Sequence, residues 1–262
     1  MSTQNVSNLF QQSVAAGAMS PKSKDVLNIP DMGAAIQQGM GIVADDVPAS
    51  EVILVSLLLD DSGSISMANN EQVVRDGVNL IIDSLRKSKQ DDNILVKIQY
   101  LNGTLLCPYL PLKDVPLLDD QNFRATGQTP LYDQTALILA GVFAKTQEFT
   151  NNGTPVRSVT LVVTDGADYG SRKHSPDTVK VLVEDLYMQE SHIIAGMGID
   201  DHGHTDFNAV FKSMGVRDSW ILTPSNSPSE IRKAFQVMSQ SVTKVSQNAA
   251  AFSQGKLGGF GS

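Results

Sequence analysis

Five oxygen-bearing side chains are typed and spaced to do chemistry together. Asp60, Ser62 and Ser64 take alternate positions in the stretch Ile53 to Ser66, ILVSLLLDDSGSIS, and Gly63 lets the chain turn between the serines. Thr129 stands in the loop Gly127-Gln128-Thr129-Pro130, and Asp165 follows the apolar run SVTLVVT. Two carboxylates and three hydroxyls, with no histidine or thiolate, make a donor set for a hard divalent cation. Mg²⁺ takes about six oxygens at roughly 2.0–2.1 Å and usually keeps some waters. Hydroxyls are neutral ligands. A cation held directly by them, with the acids acting through water, stays electron-poor and favours an incoming carboxylate.

Each of these residues sits at the end of a segment that must position it. Ile53 to Leu59 is an almost continuous apolar run, which predicts a central strand buried on both faces. Ser158 to Thr164 is a second such run and also ends in a carboxylate. If the two strands are neighbours, Asp60 and Asp165 face each other at their carboxyl ends, where open α/β sheets bind ligands. Val73, Val74, Gly77, Val78, Ile81, Ile82 and Leu85 recur at helical spacing and predict a helix over about Asn70 to Lys89. Ile94 to Leu101 reads as a strand, Asn102-Gly103 as a hairpin turn and Thr104 to Leu110 as the returning arm, an edge strand because of Pro108 and Pro111. Pro130 starts another helix, Ser175-Pro176 caps and starts the next, His192 to Ile199 and Trp220 to Leu222 read as strands, and Ser227 opens a last helix running to Val245. Strands alternate with helices after one hairpin. The expected fold class is therefore α/β: a doubly wound, mostly parallel central sheet with one antiparallel edge strand and helices on both faces.

Three regions follow: an N-terminal helical appendage over 1–50, the main domain over 51–245, and a flexible Gly/Ser/Gln tail over 246–262. In the first, Val6, Phe10 and Val14 mark one short helix, and Met32, Ala35, Ile36 and Met40 a second. Both are expected to pack on the main domain. The tail carries two isolated phenylalanines, Phe252 and Phe260, in a polar, Gly-rich context and is expected to be mobile.

The chain has 262 residues and a net charge of -8. It offers no basic stripe for phosphates, which argues against nucleic acid as the main partner. No apolar run reaches the roughly 18 residues that span a bilayer. The beginning lacks a basic flank followed by an apolar core, so a secretory signal is not expected. The single cysteine, Cys107, lies in an apolar stretch and reads as a buried structural thiol, consistent with a reducing, cytoplasmic setting. Asp61 reads as a solvated neighbour of the site. Asp168, Asp200, Asp201, His202 and His204 are expected on loops of the same rim, with His202-x-His204 a weak signal for a transition metal, and His174 near a helix start.

Asp60-x-Ser62-x-Ser64, Thr129 before Pro130, and Asp165 in a Thr-Asp-Gly turn resemble the metal-ion-dependent adhesion site of von Willebrand factor A-type domains. The resemblance covers about Glu51 to Val245. It looks closest to small stand-alone bacterial intracellular members associated with tellurium resistance or MoxR-type ATPases. It implies that Ser62, Ser64 and Thr129 touch Mg²⁺ (or Mn²⁺), that Asp60 and Asp165 bind mostly through water, and that an open position accepts an acidic residue of a partner. The function implied is a metal-dependent protein-binding module rather than an enzyme, an intracellular adaptor whose partner could be an AAA+ ATPase. One alternative is a Mg²⁺-dependent phosphatase or phosphotransferase with Asp60 as nucleophile, but the general-acid position two residues on is Ser62, and no Gly-x-x-x-x-Gly-Lys loop exists. A surface adhesin is a third reading. Self-assembly, through the tail or the N-terminal helices of a neighbouring copy, is a fourth.

Overall fold

A computed structural model describes residues 5–29, 31–88, 91–247 and 259–260. The centre is β1 (Val52–Leu59), every residue of which is buried. That is the condition for a strand covered on both faces, and it explains the unbroken apolar run. β1 pairs in parallel with β2 (Ile94–Tyr100) on one side and with β4 (Val156–Thr164) on the other. β3 (Leu105–Pro111) returns antiparallel to β2 at the edge, where Pro108 and Pro111 are tolerated, and β5 (His192–Gly198) and β6 (Ile221–Leu222) extend the other side in parallel. Among the described residues the six-stranded order is β3-β2-β1-β4-β5-β6. This is the mostly parallel, doubly wound sheet with one antiparallel edge strand, as expected.

Helices cover both faces. After β1 come one turn of helix, α4 (Gly63–Met67), and α5 (Glu71–Arg86), whose apolar side is buried. α5 packs against the last helix, α9 (Pro228–Gln247). The two approach closely because Gly77 has no side chain: a Cβ there would lie 2.2 Å from Cδ2 of Phe235. On the opposite face lie α6 (Leu131–Asn151), α7 (Pro176–Met188) and α8 (Phe207–Ser213). α7 starts as its sequence foretells, with a capping box between Ser175 and Thr178 and Pro176 in the first turn. The chain winds from β1 through α5 to β2 on one side and reaches β4 through α6 on the other. β1 and β4 therefore flank the point where the winding direction changes.

The first 50 residues differ from expectation. They form three helices, α1 (Val6–Ala15), α2 (Pro21–Leu27) and α3 (Met32–Gly39), rather than two. α2 is short and mostly polar, so its periodicity is weak, but Ser20 caps it and Pro21 sets its first turn. α1 and α3 pack on α6, α2 packs on α7, and α3 also meets β3. Polar ties reinforce the apolar contact. Ser13 Oγ lies 2.9 Å from Gln147 Oε1, Asp185 accepts from Ser20 N–H at 2.6 Å, and Glu148 accepts from Ala44 N–H at 3.0 Å. His174 is buried between Asp133 of α6 and the Val26 carbonyl, so it holds the N-terminal segment as well as standing before α7. Cys107 is a free, buried thiol, and burial pushes it up to about 11, away from reactivity. Most of the tail expected to be mobile lies outside the described residues. α9 runs to Gln247, and Gly259 and Phe260 return to the sheet edge. Among the described residues no helix is long and apolar enough to cross a membrane.

Candidate metal centre

The site is built at the carboxyl ends of β1 and β4. Asp60 directly follows β1, and its N–H continues the sheet pairing by donating to Val163 O at 2.9 Å. Its carboxylate is 1% exposed and takes three donors: Ser62 N–H at 2.8 Å on Oδ1, and Thr164 Oγ1 at 2.6 Å and Asp165 N–H at 3.2 Å on Oδ2. Asp60 thus ties the two loops together. A carboxylate so enclosed is also poorly placed to attack a substrate, which weighs against the aspartyl-nucleophile alternative.

The hydroxyls converge above it. Ser62 Oγ and Ser64 Oγ are 2.8 Å apart, Ser64 Oγ donates to Asp165 Oδ1 at 2.6 Å, and Ser62 Oγ lies 3.5 Å from the same oxygen. Neighbouring ligands of a cation with bonds of about 2.0–2.1 Å in octahedral geometry stand about 2.9 Å apart. The two serine oxygens therefore already stand near the spacing of adjacent ligands on one Mg²⁺-sized ion, with Asp165 Oδ1 beside them, and the donor set fits such an ion. Electrostatics agrees. Burial, and then the charge of Asp60, push Asp165 up to about 6, while its bonds from Ser64 and Ser62 pull the other way. Two acids held close in a buried corner are a pair that a divalent cation would relieve.

Thr129 arrives by a different route. Gly127 forms a bridge with Ser62: its N–H donates to Asp61 O at 2.8 Å, and its carbonyl accepts from Gly63 N–H at 3.3 Å. Thr129 itself pairs with Tyr169 through both backbone bonds, at 3.2 and 2.7 Å. Its Oγ1 is 3.9 Å from where a Cβ on Gly166 would stand, next to Asp165. The structure thus joins Asp60, Ser62, Ser64 and Asp165 by direct hydrogen bonds and holds Thr129 at the adjoining corner.

The rim differs in part from expectation. Asp61 is fully buried rather than solvated; Oδ1 accepts from Asn102 N–H at 3.0 Å, and burial raises its carboxyl to about 6. Asp200, Asp201 and His202, with Ser64, Met67, Ala68, Asp165 and Asn226, line a cavity of about 270 Å³ beside the site. Asp168 instead accepts from Tyr132 N–H and Ser171 Oγ at the start of α6. Asp200 and Asp201 accept from Gly203 and Thr205 N–H, and no group of three His, Cys, Asp or Glu is placed to hold a metal among the described residues. Sequence reasoning missed three contributors. Thr164 bonds Asp60, but a threonine ending an apolar strand reads only as β-propensity. Met67 and Tyr169 flank the site at 81% and 71% exposed, and no periodicity marks them.

No family model matches the sequence, and no curated protein matches it. Solved structures do match in fold. The pilus adhesin SpaC from Lactobacillus rhamnosus GG superposes with a TM-score of 0.54 at 13% identity over 74% of this chain and 31% of that one. The chain thus spans under a third of SpaC. The vWF domain of the type V pili tip protein Mfa5 from Porphyromonas gingivalis gives 0.52 at 10% identity, over 77% of this chain and 98% of that domain. At these identities the likeness is one of fold, and the fold is that of von Willebrand factor A-type domains.

Proposed function

We propose that this chain is a divalent-cation-dependent protein-binding module. Ser62, Ser64 and Thr129 hold Mg²⁺ or Mn²⁺ directly, Asp60 and Asp165 act mostly through water, and a partner's Asp or Glu completes the shell. The observation that carries this reading is the triangle of Ser62, Ser64 and Asp165 oxygens at the topological switch of the sheet. The cation supplies a positive charge that its neutral ligands do not quench. The protein supplies the docking surface around it. Met67 and Tyr169 are among the few large apolar side chains left exposed, and both border the site. Exposed large apolar side chains beside a site offer area that a protein partner can bury.

We place the module inside the cell as an adaptor, with an AAA+ ATPase as the partner class implied by the resemblance to stand-alone bacterial members. The free, buried Cys107 thiol fits a reducing compartment. An affinity pull-down with and without chelator tests the reading. Partners retained with Mg²⁺ should be lost with chelator and with Ser62→Ala or Thr129→Ala, and metal-independent capture of every partner would overturn it. Cell fractionation checks the compartment. Hydrolysis of p-nitrophenyl phosphate that needs Mg²⁺ and disappears in Asp60→Asn would restore the phosphatase reading.

A further inference from the structure

We propose that Ser219 and Trp220 form a peptide-docking seat at the sheet edge, and that its occupant is the chain's own C-terminal Gly259–Phe260 pair. The seat is the helical turn Asp218–Trp220 that leads into β6, the last strand among the described residues and only two residues long. Two contacts fit the pair to it. Phe260 N–H donates to Ser219 O at 2.8 Å, a backbone hydrogen bond to a carbonyl of the turn itself. The Phe260 ring meets the Trp220 indole edge-on, with centroids 5.2 Å apart and planes at 71°, within the favoured range for aromatic pairs. Trp220 is 5% exposed with Phe260 in place.

Gly259 explains why the segment must be glycine followed by an aromatic. Its φ is +138°, and a Cβ there would lie 2.4 Å from both Cβ and O of Ser219. Any side chain would collide with the backbone of the seat while adopting a conformation that L-residues rarely take. The recognised class is therefore a peptide carrying Gly-aromatic, not apolar sequence in general. The contact also closes a loop in the chain: residue 260 returns to residue 219, with α9 lying between. The segment after β6 reaches the metal-centre rim, since Asp200 N–H donates to Pro224 O at 2.9 Å and Asn226 lines the cavity. The pair is joined to the seat by its own chain, so the tail meets the seat at an effective concentration that does not depend on protein concentration, unlike free peptide.

Trp220 is the only tryptophan, so its fluorescence reports the seat in the full-length protein. Phe260→Ala and Gly259→Ala should each shift its emission to longer wavelength and raise its quenching by acrylamide. Adding the synthetic peptide KLGGFGS, the sequence of residues 256–262, to Phe260→Ala should reverse both changes, and KLGGAGS should not. Emission and quenching equal to wild type in both variants would overturn the seat, as would failure of KLGGFGS to act. A wild-type signal that moves toward that of the variants on dilution would overturn the intramolecular assignment and give the seat to a second copy.

Discussion

Asp165 is the residue on which the electrostatics of the site turns. It is 5% exposed, and burial together with the Asp60 charge lifts its carboxyl to about 6 from the ordinary 3.8. A group raised in the folded state stabilises the fold below its unfolded pKa and loses that contribution as pH rises through the folded value. At pH 7 the cation-free protein therefore holds an unfavourable carboxylate pair. Asp165→Asn removes the charge and keeps an oxygen for Ser64. It should raise the melting temperature of chelator-treated protein at pH 7, by order of magnitude 1–3 kcal/mol of stability, with the gain fading below about pH 4. Mg²⁺ should raise the melting temperature of the wild type and leave the variant nearly unmoved, as thermal denaturation with and without MgCl₂ will read. An equal Mg²⁺ response in both would remove Asp165 from the cation's surroundings. The acids and serines were legible in the sequence because they lie in short local motifs at the ends of apolar runs. Asp61 was misjudged because its partner, the Asn102 backbone, is brought near by the hairpin, and nothing in its neighbourhood along the chain announces that.

At the scale of elements, the strands were readable wherever both faces are buried. β1 throughout, and β4 from Ser158 on, are runs of apolar or small residues, and no helical or alternating pattern competes. The one-turn α4 and the short α2 were not readable, since neither is long enough to show a period. Two elements carry further consequences. Gly77 costs α5 helical propensity, about 1 kcal/mol relative to alanine, yet it admits the Phe235 ring. Gly77→Ala should therefore destabilise despite the better propensity, by about 1–3 kcal/mol of overpacking, and Phe235→Leu added to it should recover part of that loss in urea titrations. A Gly77→Ala protein as stable as wild type would mean that the α5–α9 contact yields freely. His192, at the start of β5, is buried with Nδ1 2.7 Å from Ser158 Oγ and Nε2 3.1 Å from Gln189 Oε1. Burial lowers its pKa to about 3 from 6.5, so it stays neutral while the unfolded chain takes up a proton. Its effect on stability is nil above pH 6.5 and becomes a growing penalty as pH falls toward 3, at up to about 1.4 kcal/mol per pH unit. His192→Gln should flatten the decline in urea midpoint between pH 6.5 and 4 relative to wild type. Parallel curves for the two proteins would contradict a neutral, buried imidazole.

For the whole molecule, the N-terminal segment covers two lysines that would otherwise be an anomaly of the sheet and of α6. Lys145 donates to Ile42 O and pairs with Glu148 at 2.9 Å. Lys97, on β2, is fully buried with no hydrogen-bond partner for its ammonium. The ammonium lies between two helices that have glycine at that point: a Cβ on Gly39 of α3 would be 2.7 Å from Nζ, and one on Gly141 of α6 would be 3.2 Å away. It also sits at the C-terminal end of α3, the end at which the helix dipole favours positive charge. The helices α1 to α3 thus contribute to the interior, and we expect a chain beginning at Glu51 to lose several kcal/mol in urea unfolding or to fail to fold. A separable appendage would leave the midpoint unchanged. Lys97 supplies the sharper measurement in the full-length protein. Burial lowers its pKa to about 8 from 10.5, so the penalty for holding the charge is greatest below pH 8 and vanishes as pH rises toward 10.5. Lys97→Met fills the same volume without the charge and should stabilise the protein at pH 7 by roughly 1–3 kcal/mol. That advantage should shrink between pH 8 and 10.5. A variant less stable than wild type at pH 7 would mean that the ammonium has found compensation under α3, and that the charge itself helps to hold the N-terminal helices down.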